Sequence, residues 1–225
     1  MEETQYTIGD WMKGTRVALF GISRSGKNYT IDDFLQLAEN DGLSFIHLSP
    51  MDMIRDKLGS RRLKDMPLDD KLDLVNEVRN EIDRICKNNN VIVDEHYCYP
   101  STFGGKELDN GYFDEKLPHN ILKMCGHDTD YEVVFPDTEY CKYDLFLCMN
   151  IDPGIIVERC RTSEGVKRND EITIEQAKKW QQVEIMGAFQ KGNNIEGLSL
   201  IDDPKKSGEQ VYRAVSDYLR DHHLD

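Results

Sequence analysis

Seven residues, Gly21-Ile-Ser-Arg-Ser-Gly26-Lys27, match G-x-x-x-x-G-K and follow directly on the apolar run Val17-Ala-Leu-Phe20. Glycine at the two fixed positions lets backbone approach an anion with no Cβ in the way. The amide N–H groups of such a loop, and the first turn of the helix behind it, then converge on one point. A lysine at the end adds a point charge that reaches the outer phosphates of a chain. The chemistry implied is the holding of a phosphate chain by Gly21, Arg24, Ser25, Gly26, Lys27, Asn28 and Tyr29. The plainer alternative is a glycine turn with no ligand, which leaves the coincidence of strand, spacing and lysine unexplained. Asn28 stands where Ser or Thr would offer a hydroxyl to Mg²⁺, with Thr30 two residues on; an amide carbonyl oxygen is a competent hard ligand, so Asn28 is a candidate for the metal.

A second stretch, Val91-Ile-Val-Asp94-Glu95-His96, reads as an apolar strand ending in a carboxylate. That places Asp94 at the C-terminal edge of a sheet, where open α/β proteins bind ligands and where a phosphate-loop enzyme holds its metal. Glu95 is a second candidate for that role, and His96 either contacts substrate or closes a turn. The basic residues are unevenly placed: Arg55, Lys57, Arg61, Arg62 and Lys64 fall together, as do Arg159, Arg161, Lys167 and Arg168. Such runs are either solvated faces or phosphate ligands, depending on where the strands put them.

These residues need elements to position them. Apolar runs at 16–20, 44–48, 91–93, 145–149 and 198–201 alternate with helix-length segments at 27–39, 67–87, 173–191 and 208–220. In the second of these, Val75, Val78, Ile82 and Ile85 make one apolar stripe. The alternation predicts an α/β fold, a three-layer sandwich on a mostly parallel five-stranded sheet. Residues 99–143, rich in Gly, Pro, Asp and Tyr, fit poorly; they predict an irregular excursion partly covering a site, with a short helix near 116–124 and an extra strand near 131–135.

A length of 225 residues suits one well-buried core, so 1–225 is expected to be a single domain. The formal charge of −14 argues against a long nucleic acid, which needs an extended basic face. A small anion needs only a local nest of donors. Six cysteines without a C-x-x-C pair read as buried thiols rather than disulfides or a zinc site. No apolar run approaches the roughly 20 residues that span a bilayer, and MEETQYTIGDW lacks the plan of a signal peptide, so a soluble, cytoplasmic protein with no membrane partner is expected.

Taken together, these residues make the chain resemble the P-loop nucleoside monophosphate kinases, the adenylate kinase group and its archaeal-type and phage relatives most. The resemblance implies a P-loop fold with acceptor-binding helices over 47–88 and a lid segment over 159–172. It implies ATP and Mg²⁺ as ligands and a nucleoside or deoxynucleoside monophosphate as the small-molecule phosphate acceptor. His47-Leu-Ser-Pro-Met-Asp-Met-Ile-Arg55 looks like the segment that carries an arginine to the acceptor phosphate; Arg55 takes that role, Arg61 or Arg62 adds a second contact, and Val91–His96 looks like the strand ending in Asp-x-His. Arg159 or Arg161 falls where an arginine packs on adenine or touches the phosphates, Arg168 lies in the basic lid, and 202–206 takes the place of the adenine-contacting loop. On this reading Lys27, Arg159, Arg161 and Arg168 stabilise charge, Asp94 with Asn28 holds Mg²⁺, and Arg55, Arg62 and His96 serve the acceptor.

The chain departs from that pattern at Asn28 and on the helix after the lid, where only Lys178 or Lys179 replaces a catalytic arginine. Residues 99–143 also exceed what the short archaeal-type enzymes carry there. Two other readings are therefore carried: a kinase with a hydroxyl acceptor, whose proton Asp94 or Glu95 must take, and a nucleotide-binding regulatory ATPase.

Overall fold

Five apolar runs become the five strands of one sheet. The computed structural model describes residues 14–61, 66–100, 102–103, 106–107, 131–133, 142–162, 172–192 and 198–223. In chain order the elements are β1 (Arg16–Phe20), α1 (Lys27–Asn40), β2 (Phe45–Leu48), α2 (Pro50–Leu58), α3 (Leu68–Cys86), β3 (Asn90–Glu95), β4 (Cys98–Pro100), β5 (Thr102–Phe103), β6 (Lys106–Glu107), β7 (Tyr131–Val133), β8 (Leu145–Met149), α4 (Pro153–Thr162), α5 (Ile174–Gly192), β9 (Leu198–Ile201) and α6 (Ser207–His223). The main sheet runs β2-β3-β1-β8-β9, and every pairing in it is parallel. Parallel strands are covered on both faces and so read as continuous apolar runs; every residue of β1 and β8 is buried. This is the α/β sandwich that the alternation of runs predicts.

The order puts β1 between β3 and β8, so the C-terminal ends of three strands open side by side. β1 leads into the Gly21–Lys27 loop, β3 ends at Asp94 and Glu95, and β8 leads to α4, which carries Arg159 and Arg161. β3 is longer than the 91–93 run predicts, because its register with β1 continues through Leu19–Asp94 and Phe20–Glu95. Asp94 is thus held by the ladder itself.

The helices follow from their stripes and caps. On α3, Val75, Val78, Ile82 and Cys86 are buried on one face, and Arg79 is buried among them. Each fully buried aliphatic side chain of this kind contributes about 1.5–3 kcal/mol. Ser49 caps α2 through the Asp52 amide at 3.4 Å, with Pro50 in the first turn. Thr173 and Gln176 cap α5 reciprocally, the Thr173 N–H donating to Gln176 Oε1 and the Gln176 N–H to Thr173 Oγ1. α1 lies along α6, where the Thr30 hydroxyl donates to Ser207 Oγ at 2.7 Å. Thr30 is therefore spent on helix packing.

Within the 99–143 excursion, β4 pairs antiparallel with β7 and β5 with β6. The strand expected near 131–135 is present over Tyr131–Val133. The helix expected near 116–124 lies outside the described residues. So do most of the 159–172 lid segment, Arg62, Arg168, Cys125 and Cys141. Cys86, Cys98, Cys148 and Cys160 are buried free thiols. Among the described residues no helix is long and apolar enough to cross a membrane.

Candidate active site

The loop from Gly21 to Lys27 is shaped by two left-handed residues, Arg24 at φ 67° and Gly26 at φ 102°. Glycine takes that conformation at little cost, whereas Arg24 holds it against the usual preference. The turn closes through the Ser25 N–H on Ile22 O at 3.1 Å, and α1 begins with the Thr30 N–H on Gly26 O at 3.0 Å. Gly21 is also required by space, whereas at Gly26 the neighbour is the movable tip of Arg159 and the positive φ is what favours glycine. A Cβ on Gly21 would lie 2.8 Å from the Met149 Cβ, and one on Gly26 would lie 2.8 Å from Arg159 Nη1. Ser25 is 1 % exposed and its hydroxyl has no hydrogen-bond partner among the described residues. Buried hydroxyls are normally satisfied, so an orphan inside this loop marks room for an acceptor or donor from a ligand.

Lys27, the first residue of α1, turns inward and is 6 % exposed. Its ammonium donates to Gly21 O, lies 3.1 Å from His96 Nε2 and 3.4 Å from Asp94 Oδ1. The lysine thus joins the loop to the end of β3. Asp94 Oδ1 is buried and accepts no hydrogen bond. His96 is held neutral: burial pushes its pKa well below the ordinary value, and the Lys27 charge adds to that. A neutral ring facing an ammonium is biased toward presenting its Nε2 lone pair, with the proton on Nδ1.

Beyond His96 stands Glu184 of α5, fully buried, with Oε1 3.7 Å from His96 Nδ1. Its carboxylate takes the Tyr97 N–H at 2.8 Å and the Cys98 N–H at 3.1 Å, while the Trp180 indole donates to Cys98 O at 3.0 Å. Burial raises the Glu184 pKa to about 7, against the opposing pull of the Tyr97 amide and the Lys27 charge. Sequence reasoning missed this residue. A signal was present: Ala177, Trp180, Glu184 and Ala188 fall at helical spacing on the buried face of α5, so the one acid on an apolar stripe had to have a partner there.

Between α2, α3 and the end of β3 lies an open cleft of about 430 Å³, solvent at its mouth included, with Met51, Ile54, Val75 and Val78 as apolar walls and Arg79, Asp94, His96 and Tyr99 at its polar end. The His96 and Tyr99 rings lie 4.6 Å apart, centroid to centroid. Glu95 lines the same pocket but is committed. Arg79 grips both of its oxygens, Nη2 on Oε2 at 3.1 Å, and the Tyr143 hydroxyl donates to Oε1. Of the two carboxylates that the sequence left open, Asp94 is the one beside Lys27.

The remaining predicted residues divide. Arg159 reaches the loop, donating to Ser25 O at 2.8 Å. Arg161, Asn28 and Tyr29 are exposed, and so is Arg24. Arg55 points to solvent on α2, paired with Asp52 at 2.6 Å, and does not line the pocket. Lys178 is exposed and Lys179 pairs with Glu175 at 3.2 Å, so neither approaches the loop through a contact seen here. For a divalent cation, the described residues offer at the loop one carboxylate, Asp94, whose buried Oδ1 accepts no hydrogen bond though Lys27 lies 3.4 Å from it, and no cluster of three acidic, histidine or cysteine ligands. That donor set fits Mg²⁺, which keeps several waters and is commonly held by one or two carboxylates plus substrate phosphates.

No family model matches the chain, and no curated protein does. Among solved structures, the shikimate kinase from Bacteroides thetaiotaomicron is similar, with 12 % identity, a TM-score of 0.46, and coverage of 90 % of this chain and 98 % of that one.

Proposed function

We propose that the protein is a phosphotransferase that moves the γ-phosphoryl group of ATP to a small molecule held in the pocket between α2, α3 and β3. The observation that carries this reading is the position of Lys27, whose ammonium bridges the loop at Gly21 and the carboxylate of Asp94 at the mouth of that pocket. A phosphate chain cradled by the loop amides would lie against the same charge. Phosphoryl transfer needs little covalent work from a protein, since negative charge spreads over the equatorial oxygens and catalysis comes from alignment and positive charge. Lys27 supplies that charge directly. Arg159 braces the loop through the Ser25 carbonyl and holds a guanidinium beside it. Asp94 would hold Mg²⁺, directly or through water, with Asn28 as a second oxygen ligand; bound there, the ion would neutralise charge on the phosphates.

Two acceptor classes follow different rules. A monophosphate oxygen is already nucleophilic near neutral pH but needs a cation in its pocket. A hydroxyl needs a base. Among the described lining residues the cation is Arg79, and its guanidinium is neutralised by Glu95, whereas Asp94 keeps an oxygen without a hydrogen bond. This favours a hydroxyl-bearing acceptor with an apolar body. The acceptor oxygen then attacks the γ-phosphorus, its proton passes to Asp94, and the bond to the β–γ bridging oxygen breaks to release ADP. The monophosphate reading, implied by the resemblance, relies on Arg55 and on Arg62 and Arg168 outside the described residues. The test is a coupled ADP-release assay across monophosphates, nucleosides and small alcohols, with Lys27→Ala as control. Turnover with alcohols or nucleosides supports the hydroxyl reading and turnover with monophosphates alone supports the other. A blank across the whole panel with ATP binding retained replaces both with a regulatory ATPase.

A further inference from the structure

The carboxylate of Glu184 lies behind the site, with no exposure and no place in the pocket lining. Its two oxygens take the two successive amides that follow His96, at the point where the chain leaves β3 and turns into β4. A buried amide left without an acceptor costs about as much as a lost hydrogen bond, and both of these find one in Glu184. An amide-bearing or hydroxyl side chain could relieve part of that cost. What only a carboxylate adds is a negative charge, complete once pH exceeds its raised pKa of about 7, at 3.7 Å from His96 Nδ1 and opposite the Lys27 ammonium 3.1 Å from Nε2. The imidazole is thus set between an anion on one side and a cation on the other.

We propose that Glu184 is a positioning residue for phosphoryl transfer: it fixes His96 as the Nδ1–H tautomer, so that the Nε2 lone pair faces Lys27 and holds the ammonium between Gly21 O and Asp94. At 3.7 Å the contact is longer than a hydrogen bond, and its effect is electrostatic. In a site of low dielectric, a carboxylate at that distance discriminates strongly between an N–H and a lone pair on the near nitrogen. The ring has little freedom to escape this choice. It stacks on Trp180 at 6.4 Å and packs against Tyr99, and the Tyr97 ring next to it lies so close to Gly187 that any Cβ there would collide with it. α5 therefore grips the turn by a carboxylate, an indole and a gap left by glycine, and the histidine is the residue that the grip delivers to the site.

The kinetic part of this inference rests on the phosphotransferase reading; the tautomer does not. Histidine-ring ¹⁵N–¹H correlation spectra at pH 9, where Glu184 stays ionised without the Lys27 charge, with His96→Gln to assign the signal, test it without turnover. In Lys27→Ala the cation is gone and Glu184 alone remains to choose, so the Nδ1–H form is expected to persist. It is expected to be lost in the Lys27→Ala, Glu184→Gln double variant. An Nε2–H ring in Lys27→Ala overturns the proposal, since the lysine alone would then have set the tautomer. In the kinetic arm, Glu184→Gln keeps the size and one acceptor oxygen but leaves Lys27 as the one charge that biases the ring; kcat is expected to fall roughly 10–100-fold, by analogy with loss of the outer partner of a metal-bound histidine, with KM for ATP within about twofold. An unchanged kcat in folded Glu184→Gln overturns it as well. If the native protein turns over no acceptor, the functional reading falls and the spectra still decide the tautomer.

Discussion

Asp94 and Glu95 are neighbours on one strand, yet they live in opposite circumstances. Both line one pocket, but the hydrogen bonding of Glu95 is complete on both oxygens and that of Asp94 is not. Glu95 is gripped by both nitrogens of Arg79 and by the Tyr143 hydroxyl, and the network runs on: Arg16 lies over the Tyr143 ring at 4.2 Å and donates to Asp83 at 2.5 Å, which also takes Lys142 at 2.6 Å. Asp94 has one ion pair with Lys27 and a buried oxygen with no hydrogen bond. A carboxylate that already accepts three hydrogen bonds and faces its own guanidinium has little left to give a ligand. One left short inside a cleft retains that capacity, and the protein bears the cost of burying it.

The sharpest way to break this comparison is to neutralise each acid in turn. Asp94→Asn is expected to lower kcat by about 10²–10⁴-fold if it takes the acceptor proton, while the loss in urea unfolding stays smaller than for Arg79→Met, because the ion pair broken is a longer one, at 3.4 Å, and Lys27 keeps Gly21 O and His96 Nε2. Removing the partner of Glu95 has the reverse signature. Arg79→Met leaves a buried carboxylate with only a phenol, and is expected to cost about 3–5 kcal/mol in urea unfolding. The double variant Arg79→Met, Glu95→Leu is expected to recover much of that loss, because two apolar side chains carry no charge to desolvate. If Asp94→Asn destabilises as much as Arg79→Met, the two acids are equivalent and Asp94 is structural.

Glu184 gives a third carboxylate, deeper than either, and a prediction in pH. Its pKa rises to about 7 from an ordinary 4.5 because burial disfavours the charge. The folded state therefore binds more protons than the unfolded state between those values. The stability it contributes is fully present below about 4.5 and is lost as pH rises through about 7, a change on the order of 3 kcal/mol. His96 works the other way, since its pKa is depressed and its neutral form is the buried one; its contribution is present above about 6.5 and falls on acidification. The two partly cancel in the native protein. Comparing Glu184→Gln with the native chain by urea unfolding from pH 4.5 to 8 isolates the first term: the variant is expected to gain on the native protein as pH rises. A difference that is flat in pH would mean that Glu184 is ionised throughout.

The unequal fates of these acids also show where a sequence can be read and where it cannot. The strands 16–20 and 145–149 were legible to the residue, because a strand buried on both faces leaves a nearly unbroken apolar run; the edge strand 198–201 was legible too, although Ser199 interrupts its apolar run and Leu200 is 45 % exposed. The phosphate loop was legible because spacing and lysine sit within seven residues. Asp94 was legible as a strand end, but its difference from Glu95 was not, since that depends on Arg79 reaching in from α3 and Tyr143 from the far side of the excursion. In hindsight Arg79 carried a trace: it sits one residue from Val78 on the buried stripe of α3, where a cation must find an anion. Glu184 carried the same trace on α5. Contacts 16, 48 and 87 residues apart are set by topology, which pattern alone does not supply.

The smallest expected effect concerns Arg55, and it decides between the acceptor classes. Arg55 is 65 % exposed and paired with Asp52, itself 58 % exposed, three residues earlier on α2. An exposed pair of this kind is worth roughly 0–1 kcal/mol, so Arg55→Ala is expected to leave the urea midpoint almost unchanged. If the acceptor is a hydroxyl held by Met51, Ile54, Val75 and Val78, the acceptor KM also stays within about twofold, because uniform binding lost at a distant surface is the only thing KM would register. If the acceptor is a monophosphate, the side chain must leave Asp52 and swing to the phosphate, and its removal takes away a charge-assisted contact worth about 1.5–3 kcal/mol, or roughly tenfold or more in KM. A large rise in acceptor KM with an unchanged kcat would therefore return Arg55 to the pocket and make the monophosphate reading the better one; a flat response leaves Asp94 as the residue that chooses the acceptor.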